Sequence, residues 1–209
     1  MSRSRFTIVG LTGATGAGKS SITHIFAANG CHVIDADAIA REAVQKGSLC
    51  LKQLCYAFGD DILLDDGALN RAELAKRAFS SKDGTELLNG ITHPAIVMLT
   101  MIKIKELVKR GEKIIIFDAP TLFESNSDVM CDFIVAVTAP QDVRLKRIIM
   151  RDGITEQQAR IRMNAQHDES FYTEQSDFVI ENNSTLESVK SEVEQIISFI
   201  KRRITDSQN

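Results

Sequence analysis

Eight residues constrain this chain more than any others: Gly13-Ala14-Thr15-Gly16-Ala17-Gly18-Lys19-Ser20. They match G-x-x-x-x-G-K-[ST], the loop whose glycines let the backbone wrap so that its N–H groups face phosphate oxygens. The context fits. Phe6 to Leu11 reads as a strand rich in β-branched residues, and Ser20 to Asn29 as a helix stopped by Gly30. A helix starting at the end of such a loop adds its partial positive charge to the cradle. In this pattern Lys19 reaches the β- and γ-phosphates and Ser20 offers a hydroxyl to Mg²⁺, with Ser21 following in the same turn. The expected nucleotide site is therefore Gly13, Ala14, Thr15, Gly16, Ala17, Gly18, Lys19, Ser20 and Ser21, with ATP as co-substrate and Mg²⁺ as cofactor.

Further strands are expected at 32–34, 114–117, 133–137 and 178–180, with helices separating them all. Ile114-Ile115-Ile116-Phe117 is apolar without alternation, as in a strand covered on both faces. The pattern implies an α/β fold: a five-stranded parallel sheet with helices on both faces. Residues 37–110 hold more helix than one crossover needs, so they are expected to form an inserted helical lobe within a single domain spanning 1–209. Asn70 with Glu73, Thr155 with Gln158 and Ser184 with Glu187 read as capping boxes. His93-Pro94 reads as the opening of a long helix that ends at Gly111. The tail from about Thr205 reads as disordered.

The chain lacks the N-K-x-D signature of a common GTPase, and it is short for a motor or helicase. Small-molecule kinases remain, with a nucleotide-dependent binding module as the rival. Asp35-Ala36-Asp37 falls at the C-terminal end of strand two, the sheet edge where ligands sit. A carboxylate there can take the proton of an attacking hydroxyl, which favours an alcohol acceptor; capping the next helix is a compatible role for Asp37. Asp118, closing the 114–117 run, resembles a Walker-B metal carboxylate, and Glu124 follows six residues on. Arg144, Lys146, Arg147, Arg151, Arg160 and Arg162 straddle the Asp152-Gly153 turn and suggest a lid over ATP at about 144–166. Arg41, Arg71 and His93 lie in the helical lobe, where Arg41 and Arg71 could meet acceptor phosphates.

Net charge bounds the partners. Lys+Arg 25 against Asp+Glu 28 gives −3, which excludes a general nucleic-acid coat. No continuous apolar run approaches ~18 residues, so no membrane span is expected. The basic start, Met1 to Arg5, precedes too short an apolar run for a secretion signal, and a cytoplasmic location is expected. Cys31, Cys50, Cys55 and Cys131 form no C-x-x-C and do not group with the histidines, so they read as reduced thiols. Nothing specifies the oligomeric state. The apolar stripe of the last helix is what core packing requires.

Taken together the motifs resemble the dephospho-CoA kinase family, nearly end to end from Ile8 to Val193. The residues carrying the resemblance include Gly10-Leu11-Thr12-Gly13, Val33-Ile34-Asp35-Ala36-Asp37 with Arg41, and Asp66-Gly67-Ala68-Leu69-Asn70-Arg71. His93-Pro94, Pro120 with Leu122-Phe123-Glu124, Arg144 with Arg147, Arg162 with Gln166, and Asp177 with Asn182 continue it. The resemblance implies a P-loop kinase core, a helical CoA lobe, a lid, and phosphorylation of the ribose 3′-hydroxyl of dephospho-CoA by ATP. It also implies Asp37 as catalytic carboxylate, Lys19 and Arg147 as phosphate-binding cations, and substrate contacts drawn from Asp35, Asp37, Arg41, Arg71, His93 and Glu124. Three departures stand out: Ala14-Thr15 where the family has Gly-Ile, Thr121 for a leucine, and no glycine near Ser184. If position 14 required a positive φ, alanine there would be strained by about 1 kcal/mol.

Overall fold

The structure is a computed structural model and describes residues 6–206. The basic start, 1–5, and residues 207–209 lie outside the described residues. One parallel sheet holds β1 (Thr7–Thr12), β2 (His32–Asp35), β3 (Ile114–Asp118), β4 (Phe133–Thr138) and β5 (Phe178–Glu181), in the order β2-β3-β1-β4-β5. β1 is central, with Gly10 opposite Phe117 of β3 and Ile134 of β4. All six β1 residues are buried. Between the strands run α1 (Lys19–Ala28), α2 (Ala36–Ala43), α3 (Leu49–Phe58), α4 (Arg71–Ala78), α5 (Lys82–Lys109), α6 (Gln141–Asp152), α7 (Glu156–Asn164) and α8 (Glu169–Thr173); α9 (Leu186–Asp206) follows β5.

The chain divides into two compact units. The first runs to Ile34 and resumes at Leu107; it contains the P-loop and most of the sheet. Its core joins Val9 and Leu11 of β1, Ile22 and Phe26 of α1, and Val193 and Ile197 of α9. The second unit, Asp35–Glu106, is helical. Its own core gathers Val44, Cys50, Leu54, Ile62 and Leu74, with Ile91 packed against them. Arg77 braces its surface, donating to Glu73 at 2.8 Å and to Asp61.

Several local expectations change. α5 does not open at Pro94; it is one 28-residue helix with Pro94 inside. Proline costs a helix interior one N–H bond, here the one due to the Gly90 carbonyl, and residues on both sides sustain the helix. No α-helix separates β3 from β4; the link is turns and one 3₁₀ turn at Asp128–Met130, with Asn126 at φ 51°. The Asn70 side chain accepts from the Glu73 amide, but the Glu73 carboxylate turns to Arg77, so half of that box forms. Thr155 and Gln158 make the full box. Thr185, not Ser184, holds the start of α9 by accepting from the Ser188 amide. That last helix continues to Asp206, past the expected end of order.

α5 also revises the membrane argument. No unbroken apolar run exists, yet an 18-residue window has mean hydropathy 1.4, long and apolar enough to cross a membrane by length and composition. The same helix contributes Leu88, Ile91 and Ala95 to the core of the second unit. Gly90 in its interior has open space where a Cβ would stand. Gly90→Ala should therefore stabilise the protein by about 0.5–1 kcal/mol, read as a higher denaturation midpoint.

All four cysteines are free thiols. Burial pushes Cys31 up to about 11 against the attraction of Lys201. Burial, reinforced by Asp128 and Asp132, pushes Cys131 up to about 12. Thiolate is the reactive form, so both should resist an aromatic disulfide reagent at pH 8 and react only on unfolding. The folded state holds these protons above the ordinary value of 9.0, so their contribution to stability is complete below that value. It should fall as pH rises from about 9 to about 11 for Cys31 and to about 12 for Cys131, since the unfolded chain then releases protons the folded chain keeps.

Candidate active site

The first unit builds an anion site at the start of α1. No side chain caps that helix and its first turn holds no acidic residue, so the positive end of its dipole is left uncompensated by side chains. Lys19 stands in the first turn and pairs with Asp118 at the end of β3; both side chains are largely buried. One helical turn later, the Thr23 hydroxyl lies 2.7 Å from the other Asp118 oxygen. Thr23 was missed in the sequence, although its i+4 spacing from Lys19 was available as a signal. Ser20 and Ser21 are exposed beside this pair in sequence.

The loop is held from several directions. Asn182, just after β5, donates its amide to the Ala17 carbonyl at 2.8 Å. Arg147 donates to the carbonyls of Ala17 at 3.1 Å and Asn182 at 2.9 Å. Its guanidinium therefore grips the back of the loop in this structure, whereas the sequence reading gave it to phosphate. Arg144 donates through Nε to the Thr15 carbonyl at 3.0 Å, and Gln166 accepts from the Thr15 amide at 2.8 Å. Gly16, at φ 80°, leaves no room for a Cβ, which would stand 2.7 Å from the Arg144 carbonyl. Ala14 needs no left-handed backbone: Asn126 is the only non-glycine residue of positive φ among the described residues. The alanine is buried against Phe123, Ala136 and Tyr172, so the strain considered for it does not arise.

Glu124 is exposed, with the Tyr172 hydroxyl 3.5 Å from its carboxylate. Burial first, and the Glu124 charge second, push the Tyr172 phenol up. Thr121 is exposed, so its departure from leucine lies at the surface. The remaining cations of 144–166 are held by local carboxylates. Arg151 and Arg162 share Asp152, whose pKa they lower, and Arg160 pairs with Glu156.

The acceptor candidates other than Glu124 belong to the second unit. The Asp35 side chain, not Asp37, caps α2 by accepting from the Ala38 amide at 3.0 Å. Arg41 lies 3.6 Å from Asp35. Asp37 is exposed in the first turn of α2 and free of the capping role considered for it. Arg71 opens α4 and His93 lies within α5, both exposed.

Comparison with known proteins gives the family. The family model described as Dephospho-CoA kinase matches residues 7–188. A Dephospho-CoA kinase of Corynebacterium efficiens is 39% identical over 196 residues, covering 94% of this chain and 98% of that protein. One from Oryza sativa subsp. japonica is 36% identical, covering 95% and 86%. Among solved structures, TT1252 from Thermus thermophilus superimposes with TM-score 0.78 at 26% identity, covering 92% of this chain and 97% of that one. A shikimate kinase from Bacteroides thetaiotaomicron, 14% identical with TM-score 0.51 over 93% of this chain and 98% of its own, shares the fold alone. A match of this extent, with relatives of nearly equal length, places the chain in the dephospho-CoA kinase family.

Proposed function

We propose that this protein transfers the γ-phosphoryl group of ATP to the ribose 3′-hydroxyl of dephospho-CoA, giving coenzyme A and ADP. The observation that carries the reading is the pairing of Lys19 with Asp118 beside the uncapped start of α1, within the phosphate loop. In the transfer, the bond between the γ-phosphorus and the β–γ bridging oxygen breaks as a bond from the 3′-oxygen forms. Asp37 orients that hydroxyl and takes its proton. The loop amides and Lys19 stabilise the charge on the moving group. Arg147 contributes by holding the carbonyl side of the loop in place.

A divalent cation fits the donors present. Ser20 and Asp118 offer hard oxygens, and no group of three or more His, Cys, Asp or Glu among the described residues could hold a metal. That suits Mg²⁺, which uses one or two protein ligands with phosphate oxygens and water. Ser20 and Asp118 would hold it, and when bound it neutralises phosphate charge. Asp35, Asp37, Arg41, Arg71, His93 and Glu124 are the proposed acceptor contacts. Within the proposed lid, 144–166, Arg151, Arg160 and Arg162 exchange Asp152 and Glu156 for nucleotide phosphate, while Arg144 and Arg147 stay on the loop carbonyls. The partners are small molecules and the location is the cytoplasm.

The test is ADP release from Mg-ATP with and without dephospho-CoA, with the product identified as coenzyme A. Release that depends on dephospho-CoA supports the reading. ADP binding without stimulation by dephospho-CoA would assign the core to another acceptor or to a nucleotide switch.

A further inference from the structure

Two consecutive peptide units of the phosphate loop, one on each side of the Thr15 Cα, are held by a single helical hairpin. The Thr15 amide donates to Gln166 and the Thr15 carbonyl accepts from Arg144. An amide can only donate, so the Gln166 atom it meets is the carbonyl oxygen. Arg144 lies in the first turn of α6, and Gln166 directly follows the C-cap of α7. The two helices pack through Ile148, Ala159 and Met163, and Asp152 ties Arg151 to Arg162 across their junction. Arg144 is only 8% exposed. Burial pulls its pKa down while Glu169 and Tyr172 oppose that shift. A buried cation with its Nε committed to one loop carbonyl is a fixed anchor rather than a solvated surface charge.

We propose that Gln166 and Arg144 are positioning residues: Gln166 locks the orientation of the Ala14–Thr15 peptide and Arg144 that of the Thr15–Gly16 peptide, and together they hold the loop ready for phosphate before the nucleotide arrives. A loop amide that has lost its acceptor turns to other partners, and its neighbours rotate with it. Only the fraction of molecules with the cradle formed then binds nucleotide, and apparent affinity falls by that fraction. Neither side chain needs to touch ATP for this effect, which separates it from the role of Lys19.

The probe is ADP, whose binding does not depend on which acceptor the enzyme uses; failure here leaves the proposed reaction standing. Gln166→Met keeps the size and removes the acceptor. ADP affinity should fall about tenfold with the melting temperature within about 2 °C of the parent, because one hydrogen bond outside the core is lost. Hydrogen exchange at the Thr15 amide, read by NMR on the nucleotide-free protein, should quicken in the same variant. Gln166→Glu retains an acceptor and should keep slow exchange at the Thr15 amide, whatever its added charge does to ADP affinity. Parental ADP binding by Gln166→Met overturns the proposal, as does unchanged exchange at Thr15. If Gln166→Met lowers the melting temperature further, Gln166→Glu decides alone by exchange: parental slow exchange at the Thr15 amide upholds the proposal, and exchange as fast as in Gln166→Met overturns it.

Discussion

Asp37→Asn lowers kcat with dephospho-CoA by 10²-fold or more while the KM for ATP stays within about threefold, the range expected when a general base is lost. Asparagine keeps the shape and a hydrogen-bond acceptor but cannot take the proton of the 3′-hydroxyl. A 10²-fold loss is about 2.7 kcal/mol of transition-state stabilisation. Confounding by misfolding is small, because Asp37 is exposed and Asp35 does the capping of α2. The melting temperature should therefore stay at the parental value. Steady-state kinetics decide the matter: near-parental turnover would remove Asp37 from the role of base and return the search to the other carboxylates.

The second large effect is expected at Gly13. Its φ is 146°, and an added Cβ would stand 2.3 Å from the backbone carbonyl oxygen of Val137. Val137 belongs to the buried run of β4, so the obstacle is sheet backbone rather than a side chain that can swing away. Gly13→Ala should cost about 2–4 kcal/mol of stability, summing backbone strain and overpacking. ADP affinity should fall at least tenfold, since the displaced residue begins the loop. Denaturant unfolding and calorimetric titration with ADP read the two effects separately. A variant with parental stability and parental ADP binding would show that the loop does not need this close approach.

Which parts of this were legible in the sequence follows from distance along the chain. The phosphate loop is contiguous, and its glycines are needed for local reasons, so eight residues suffice to see it. The central strands are legible because burial on both faces removes alternation from Ile114 to Phe117. Pro94 misled because a local rule, proline at helix starts, was outweighed by the helix-forming residues around it. Asp35 and Asp37 are two residues apart, and only the geometry of the α2 start shows which one caps. Arg147 was seen as a cation, but charge does not tell whether its partner is a phosphate or a main-chain carbonyl. Gln166 and Thr15 lie 151 residues apart, so no spacing argument could bring them together.

The division of the chain has a consequence for its synthesis. The helical unit is one uninterrupted stretch, whereas the unit around the sheet is split by it. β1 therefore leaves the ribosome long before its two neighbours, β3 beginning at Ile114 and β4 at Phe133. At roughly 5–20 residues per second, the central strand waits about 5–20 s for its first partner. During that interval Thr7–Thr12, which the finished fold buries completely, has both hydrogen-bonding edges unpaired. The helical unit meanwhile has all the residues of its own core and can close without waiting. The nascent chain thus passes through a stage in which the helical unit is folded and the strand that leads into the phosphate loop is the aggregation-prone element. That stage is where a holdase chaperone would act.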